Sequence, residues 1–136
     1  MADSQTTPTA SGSDPIAPSV GGVAKGSDSD VQPQPWGRLE WMVSGSIGNS
    51  EVMTVGKCFI DAGQNNPPHQ HPNCDEVLYV VRGTINHRIG DDYVQMTAGD
   101  IASIPAGSIH NATNIGTEQC ELVIMYSSAY REVVGE

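Results

Sequence analysis

The stretch HQHPNCDEVLYVVRG, residues 69–83, combines three side chains that can bind a metal with an apolar run. In an extended strand, side chains i and i+2 project to the same face, so His69 and His71 present two imidazoles in one direction. Glu76 follows after the short loop PNCD, and its carboxylate can supply a third ligand. By itself the pattern fits either a metal site that faces a cavity or an edge strand with a few polar residues on its solvent-exposed face.

A second segment, GDIASIPAGSIHNATN at residues 99–114, strengthens the metal interpretation. It places His110 on a predicted strand just after a Pro-Ala-Gly turn. The chain has four histidines, and three of them fall in these two segments. His69, His71, Glu76 and His110 would offer three nitrogens and one oxygen to one divalent metal ion, with positions left open for water or substrate. Fe, Mn, Ni, Co and Zn all suit this set of ligands.

The two segments resemble the two sequence motifs of the cupin superfamily. The first motif is a Gly, five residues, HxH, three or four residues, Glu, six residues and Gly, filled here by Gly63, His69, His71, Glu76 and Gly83. The second is a Gly, five residues, Pro-x-Gly, two residues, His, three residues and Asn, filled here by Gly99, Pro105, Gly107, His110 and Asn114. Every place in both motifs is matched, over residues 63–114.

The resemblance implies an all-β, single-domain jelly-roll β-barrel of the cupin type, with the divalent metal held inside by the two histidines of HxH, Glu76 and His110. It also implies a tendency to form a homodimer. It does not imply one reaction, because cupins include dioxygenases, decarboxylases, isomerases, cyclases, lyases and proteins that only bind a ligand. Function must therefore be argued from the site and not from the fold.

The rest of the chain is consistent with a small β domain at residues 36–136. Short runs rich in Val, Ile, Met and Tyr alternate with Gly, Asn and Asp turn signals, which is typical of a sandwich or barrel of about nine strands. The predicted strands are 38–43, 52–60, 69–71, 76–82, 84–89, 93–97, 101–104, 109–112 and 120–127. The ending SSAYREVVGE predicts a strand end followed by a loose tail.

Residues 1–35 contain no aromatic residue, no Leu and no Cys, and are mostly Ser, Thr, Pro, Gly, Ala and Asp. Such a segment buries too little apolar surface to offset its ordering entropy, so we predict a disordered acidic arm. Its start has no Lys or Arg and no apolar run of the length that a signal peptide requires. Three cysteines are an odd number for a disulfide framework and favour free thiols. These features predict a cytoplasmic protein.

The charge of the chain limits its partners. Sixteen acidic residues against six basic ones give a net charge of −10. Such a surface repels phosphate backbones and anionic lipids, so we predict that neither nucleic acid nor membrane is a partner. A small neutral or singly charged organic molecule is the expected ligand, because Lys and Arg are scarce.

Four residues are candidates for the wall of a substrate pocket. Leu78 and Val80 share the face of Glu76 by strand alternation. Arg82 lies on the same face by this alternation. It can either reach a substrate carboxylate or lie in water at the barrel rim. His87, between Ile85 and Ile89 on one face, is either a satisfied core or rim residue or a pocket residue that orients a ligand or carries a proton.

Three functions fit the predicted site. The first is a metal-dependent enzyme that uses the ion as a Lewis acid, or uses its bound water, for cyclisation, isomerisation, hydration or elimination. The second is an Fe(II)-dependent dioxygenase. The third is a non-catalytic module that binds a metabolite through the metal. The metal would carry most of the chemistry in both enzymatic hypotheses, because few acidic or basic side chains share the predicted interior.

Overall fold

A computed structural model describes residues 22–136. They form eleven β-strands and one short 3-10 helix, Gly26–Asp28. The strands β1 to β11 are, in chain order, Asp30–Gln34, Gly37–Val43, Thr54–Ile60, His69–Gln70, Glu76–Arg82, Thr84–Ile89, Asp92–Thr97, Ile101–Ile104, His110–Asn114, Cys120–Tyr126 and Val134–Gly135. Within this range no helix is long and apolar enough to cross a membrane.

The strands form two sheets whose pairings are all antiparallel. One sheet has six strands in the order β1-β2-β3-β10-β5-β8, and the other has five in the order β11-β4-β9-β6-β7. The side chains of β10 alternate strictly between buried and half-buried, as expected for a strand with one face on the core. The predicted all-β fold is therefore confirmed as a two-sheet sandwich.

Apolar side chains from both sheets fill the interior. Ile60 and Leu122 from the six-stranded sheet and Ile85 from the five-stranded sheet are almost completely buried. Burying one such side chain contributes about 1.5–3 kcal/mol relative to leaving it in water. All three cysteines are buried free thiols, in agreement with the prediction from their odd number.

The folded domain begins earlier than predicted. Strand β1, residues 30–34, lies inside the segment predicted as a disordered arm, and it pairs with β2 from Asp30↔Trp41 to Gln34↔Gly37. The indole Nε1 of Trp41 also donates a hydrogen bond to Gln32, 3.1 Å away. The boundary at residue 36 is wrong because β1 is an exposed strand held by backbone pairing, which leaves no apolar signal in the sequence. Residues 1–21 of the predicted arm lie outside the described residues.

The end of the chain is bound to the domain and is not a loose tail. We call residues 127–136 the C-terminal strap. Its strand β11 pairs with β4, and the Glu136 carboxylate makes two hydrogen bonds with the Arg88 guanidinium, at 2.9 and 3.1 Å. Asn73 exchanges two further hydrogen bonds with the strap, to the carbonyl of Tyr130 and from the amide of Glu132. These polar and backbone contacts have no hydrophobic pattern, so the sequence did not indicate them.

The turn between β5 and β6 depends on Gly83. Its φ is +99°, and a Cβ added there would lie 2.7 Å from the Cβ of Cys120. We expect Gly83→Ala to lower the free energy of unfolding by about 3 kcal/mol, because backbone strain adds to overpacking. The control is Gly90→Ala, where φ is +63° and no atom lies within 4 Å of the added Cβ, so only about 1 kcal/mol is expected. Urea denaturation measures both, and equal losses would contradict the steric argument.

Candidate metal centre

Four predicted ligands converge between the sheets. One donor atom from each of His69, His71, Glu76 and His110 lies within 4.8 Å of all the others. They come from separate parts of the sandwich: His69 begins β4, Glu76 begins β5 and His110 begins β9. His69 and His110 are direct partners across β4 and β9, with ring centroids 4.4 Å apart. His71, Glu76 and His110 are buried and His69 is half-buried.

Backbone carbonyls fix the orientation of all three imidazoles. The Nδ1 atom of His69 lies 2.7 Å from the carbonyl oxygen of Pro67, that of His71 lies 2.8 Å from Glu132, and that of His110 lies 2.9 Å from Ser108. Because a carbonyl can only accept, Nδ1 carries a proton in each ring and Nε2 is the atom available to a metal. The strap takes part in this arrangement, since Glu132 belongs to it.

The carboxylate of Glu76 joins two of the rings. Its Oε1 atom accepts a hydrogen bond from Nε2 of His110 at 2.9 Å. The same oxygen lies 3.2 Å from Nε2 of His71 in a direction that makes no hydrogen bond, so this buried nitrogen has no hydrogen-bond partner among the described residues. An unpartnered buried nitrogen beside a buried carboxylate is costly unless a further group binds both.

The electrostatics agree with a site built for a cation. Burial alone would raise the pKa of Glu76, but the contacts of His110 and His71 outweigh it and bring the pKa to about 2. Burial also tends to lower the pKa of His110, yet the hydrogen bond and charge of Glu76 leave it raised. The pKa of His69 falls to about 4, mainly because of burial. The metal-free site thus favours a proton between Glu76 and His110, and a metal ion would displace it.

These donors fit a divalent metal. Three imidazole nitrogens and one carboxylate oxygen form a set that suits Fe, Mn, Co, Ni or Zn and is unlike the all-oxygen sets of Ca²⁺ and Mg²⁺. The unpartnered Nε2 of His71 points to the same conclusion, because a metal would supply the missing partner.

A cavity of about 420 Å³ opens onto these ligands. Its walls are largely apolar and include Trp36, Leu39, Trp41, Leu78, Leu122 and Ile124. Polar groups are fewer and include Gln32, Gln34, Asn66, His87 and Arg131. The size and the mainly apolar lining are those of a site for a small organic molecule.

Two of the four predicted pocket residues line this cavity, namely Leu78 and His87. Val80 is completely buried but does not line the cavity. Arg82 is also outside the cavity, at the exposed end of β5, where its guanidinium lies 3.6 Å from the carboxylate of Glu121. Val80 and Arg82 therefore do not line this cavity, and Arg82 has the rim position that was its alternative.

His87 is not a satisfied core residue. It is 1% exposed, and neither ring nitrogen has a hydrogen-bond partner among the described residues. Its ring centroid lies 6.3 Å from that of His110. Burial, assisted by the charge of His110, lowers its pKa to about 4, so the ring is neutral at pH 7. A neutral imidazole offers one donor and one acceptor, and both remain available to a molecule in the cavity.

The sequence did not indicate the contributions of Trp41, Tyr126 and Arg131 to the cavity. The guanidinium carbon of Arg131 lies 4.3 Å from the Trp41 ring centroid and 5.2 Å from that of Tyr126. The Tyr126 ring in turn lies 4.9 Å from the ring of His71. Arg131 belongs to the strap, and only the docking of the strap brings it to the cavity, so no local motif could have identified it.

Comparison with known proteins places these features in a family. Residues 56–126 match the family model described as Cupin domain. Germin-like protein 3-5 of Oryza sativa subsp. japonica is 29% identical over 115 residues, which covers 78% of this chain and 51% of that protein. Oxalate oxidase GF-3.8 of Triticum aestivum is 25% identical over 105 residues, which covers 70% of this chain and 44% of that protein. The chain thus spans about half the length of the curated relatives it matches.

Among solved structures, the oxalate decarboxylase of Lactobacillus farciminis, in a formate complex, superposes with a TM-score of 0.74 at 18% identity. The match covers 80% of this chain and 34% of that one. An oxalate oxidase structure superposes with a TM-score of 0.58 at 24% identity. At these identities the likeness concerns the fold alone. The family model, however, spans more than half of the chain and includes all four ligands of the His₃Glu site, and the chain belongs to the cupin family.

Proposed function

We propose that this cupin is a metal-dependent enzyme that acts on a small organic molecule in the cavity beside His69, His71, Glu76 and His110. The observation that carries the proposal is the geometry of these four side chains. Their donor atoms converge within 4.8 Å, and backbone carbonyls hold the three imidazoles with Nε2 available. A bound divalent ion supplies Lewis-acid chemistry or activates water at such a site.

The protein contributes substrate binding and largely apolar surroundings. Apolar walls formed by residues such as Trp41, Leu78 and Ile124 surround the cavity, and electrostatic interactions in such surroundings are stronger than in water. His87 is the one histidine outside the ligand set, and its two free nitrogens can orient a substrate or hold a proton. Cyclisation, isomerisation, hydration and elimination all use these elements.

Redox chemistry on a small carboxylate is the second candidate. The observation that favours it is the relationship to an oxalate oxidase of wheat, which is 25% identical to this chain. In this alternative the protein would use Fe(II) or another redox-active ion with the same ligands. A module that binds a metabolite without converting it remains the third candidate, since the cavity and the ligands would be the same.

The three functions are distinguished by one set of measurements. The protein is purified without oxygen, its metal is identified by elemental analysis, and the metal-free protein is reconstituted separately with Fe, Mn, Co, Ni and Zn. Each form is then tested against a metabolite panel that includes oxalate, with oxygen uptake and product formation recorded. We expect one metal per chain and turnover without oxygen uptake. Oxygen-dependent turnover would support the second candidate, and tight binding without turnover for every metal would support the third.

A further inference from the structure

We propose that Arg131 is the anion-binding residue of this cavity and that the substrate is a monocarboxylate with an apolar body. The inference deepens the proposed function and rests on it, because it assigns the cavity to a substrate. It begins with the surroundings of the guanidinium. Arg131 lies at the cavity wall over the rings of Trp41 and Tyr126. Among residues 22–136 it forms no ion pair with a carboxylate and makes no hydrogen bond.

Stacking leaves the donors of this guanidinium available. A guanidinium that packs its flat face on an aromatic ring keeps its N–H groups at its edge, where they can bind a carboxylate through two parallel hydrogen bonds. The aromatic contact also restricts the side chain before any ligand arrives, which lowers the entropy cost of binding. The Trp41 indole is itself held by a hydrogen bond to Gln32 on β1.

The strap fixes the position of Arg131 from both sides. Asn73 binds the backbone of the two neighbouring residues, Tyr130 and Glu132. The carbonyl of Glu132 also accepts the Nδ1 hydrogen bond of His71, a metal ligand. The anion-binding residue and the metal centre are thus connected through one residue of backbone, and the Tyr126 ring lies close to both Arg131 and His71.

The charges and the walls of the cavity indicate the class of ligand. In the described part of the chain, Arg131 is the only Lys or Arg that lines this cavity. A single guanidinium matches a single carboxylate, and the remaining walls, including Leu39 and Leu122, are largely apolar. A volume of about 420 Å³ is ample for a ligand larger than a two-carbon acid. The carboxylate of Asp30 borders a neighbouring depression that Arg131 also lines, but it does not pair with Arg131.

The test measures binding and not turnover. The full chain, both metal-free and zinc-loaded, is titrated with 3-phenylpropionate and with its uncharged analogue 3-phenylpropionamide, using calorimetry and the fluorescence of the two tryptophans. We expect wild-type protein to prefer the carboxylate in both forms. Arg131→Met should weaken carboxylate binding by about 10- to 100-fold, because it removes charge-assisted hydrogen bonds. The same variant should leave amide binding within about threefold, since Met retains much of the packing.

Two further variants make the outcome specific. Arg131→Lys keeps the charge without the planar donor pair and should recover part of the carboxylate affinity. Arg82→Met removes an arginine that lies outside the cavity and should change nothing. The melting temperature and zinc affinity of each variant verify that fold and metal site are intact.

Equal loss of carboxylate and amide affinity in Arg131→Met would overturn the inference, because it would show that Arg131 acts only by packing. A wild-type protein without preference for the carboxylate would overturn it as well, as would unchanged binding in Arg131→Met. Carboxylate binding that needs zinc and not Arg131 would assign the anion to the metal. Failure of the proposed enzymatic function would appear differently, as absent turnover with Arg131-dependent binding retained in the metal-free protein.

Discussion

Glu76→Gln is expected to lower the affinity of the protein for Zn²⁺ by at least about 100-fold. Loss of groups that only orient a metal ligand costs about 10- to 100-fold, and Glu76 is itself a ligand with its carboxylate buried among three imidazoles. The amide oxygen of Gln keeps the shape and loses the charge that offsets part of the metal's charge. Competition titration with a chromogenic chelator measures the affinity.

The comparison needs a variant with the same chemical change elsewhere. Glu51→Gln removes an exposed carboxylate from a loop outside the cavity and should bind Zn²⁺ as the wild type does. His110→Ala should behave like Glu76→Gln, since it removes another of the four donors. Wild-type affinity in either ligand variant, with one equivalent bound, would refute the four-ligand site.

Glu76→Gln should also change the pH at which His110 is protonated. In the metal-free protein Glu76 holds the pKa of His110 above its ordinary value, against the effect of burial. Without the carboxylate charge, that pKa should fall, so His110 should become neutral at a lower pH. Nuclear magnetic resonance titration of the imidazole Cε1 protons follows this change directly.

The metal ligands were accessible to sequence reasoning because their chemistry and spacing are local. Two histidines one residue apart must share a face if the backbone is extended, and the structure places both at one centre with Glu76. Gly83 and Gly107, two glycines of the matched motifs, have positive φ for the same local reason. Strands β5, β6 and β8 lie at the predicted boundaries, since each is bounded by clear turn signals.

Sequence reasoning failed where position depends on tertiary docking. Strand β1 and the strap are held by backbone pairing and scattered polar contacts, which impose no period on the sequence. Arg131 therefore could not be placed in the cavity in advance. Strand alternation leaves Arg82 open between the pocket and the rim, because it specifies a face of the sheet and not a depth, and the end of β5 lies beyond the cavity.

His87 offers the second large effect, and it concerns stability. Its folded-state pKa of about 4 is below the ordinary 6.5. The unfolded chain therefore takes up a proton as the pH falls through 6.5, while the folded protein does so only near 4. The unfolded state binds more protons within this window, so the His87 contribution to stability is complete above pH 6.5 and is lost progressively toward pH 4. His69 contributes a parallel loss, since its pKa is also about 4.

His87→Leu is expected to raise the free energy of unfolding of the metal-free protein at pH 7 by about 1 kcal/mol, because a buried imidazole without protein partners is replaced by an apolar side chain. The gain in free energy of unfolding over wild type should grow by about 1 to 3 kcal/mol at pH 4.5. At that pH the unfolded wild-type chain binds a proton at His87 that the folded protein largely does not. Urea denaturation at both pH values measures the free energy of unfolding. The control is Asn86→Leu, on the opposite face of β6, whose stability should depend on pH as that of wild type does. If His87→Leu instead lost stability at pH 7 and kept the wild-type pH profile, buried water would have to satisfy the ring, and His87 would be structural. If His87→Leu is more stable than wild type and has lower turnover, His87 serves the ligand in the cavity and lowers the stability of the fold.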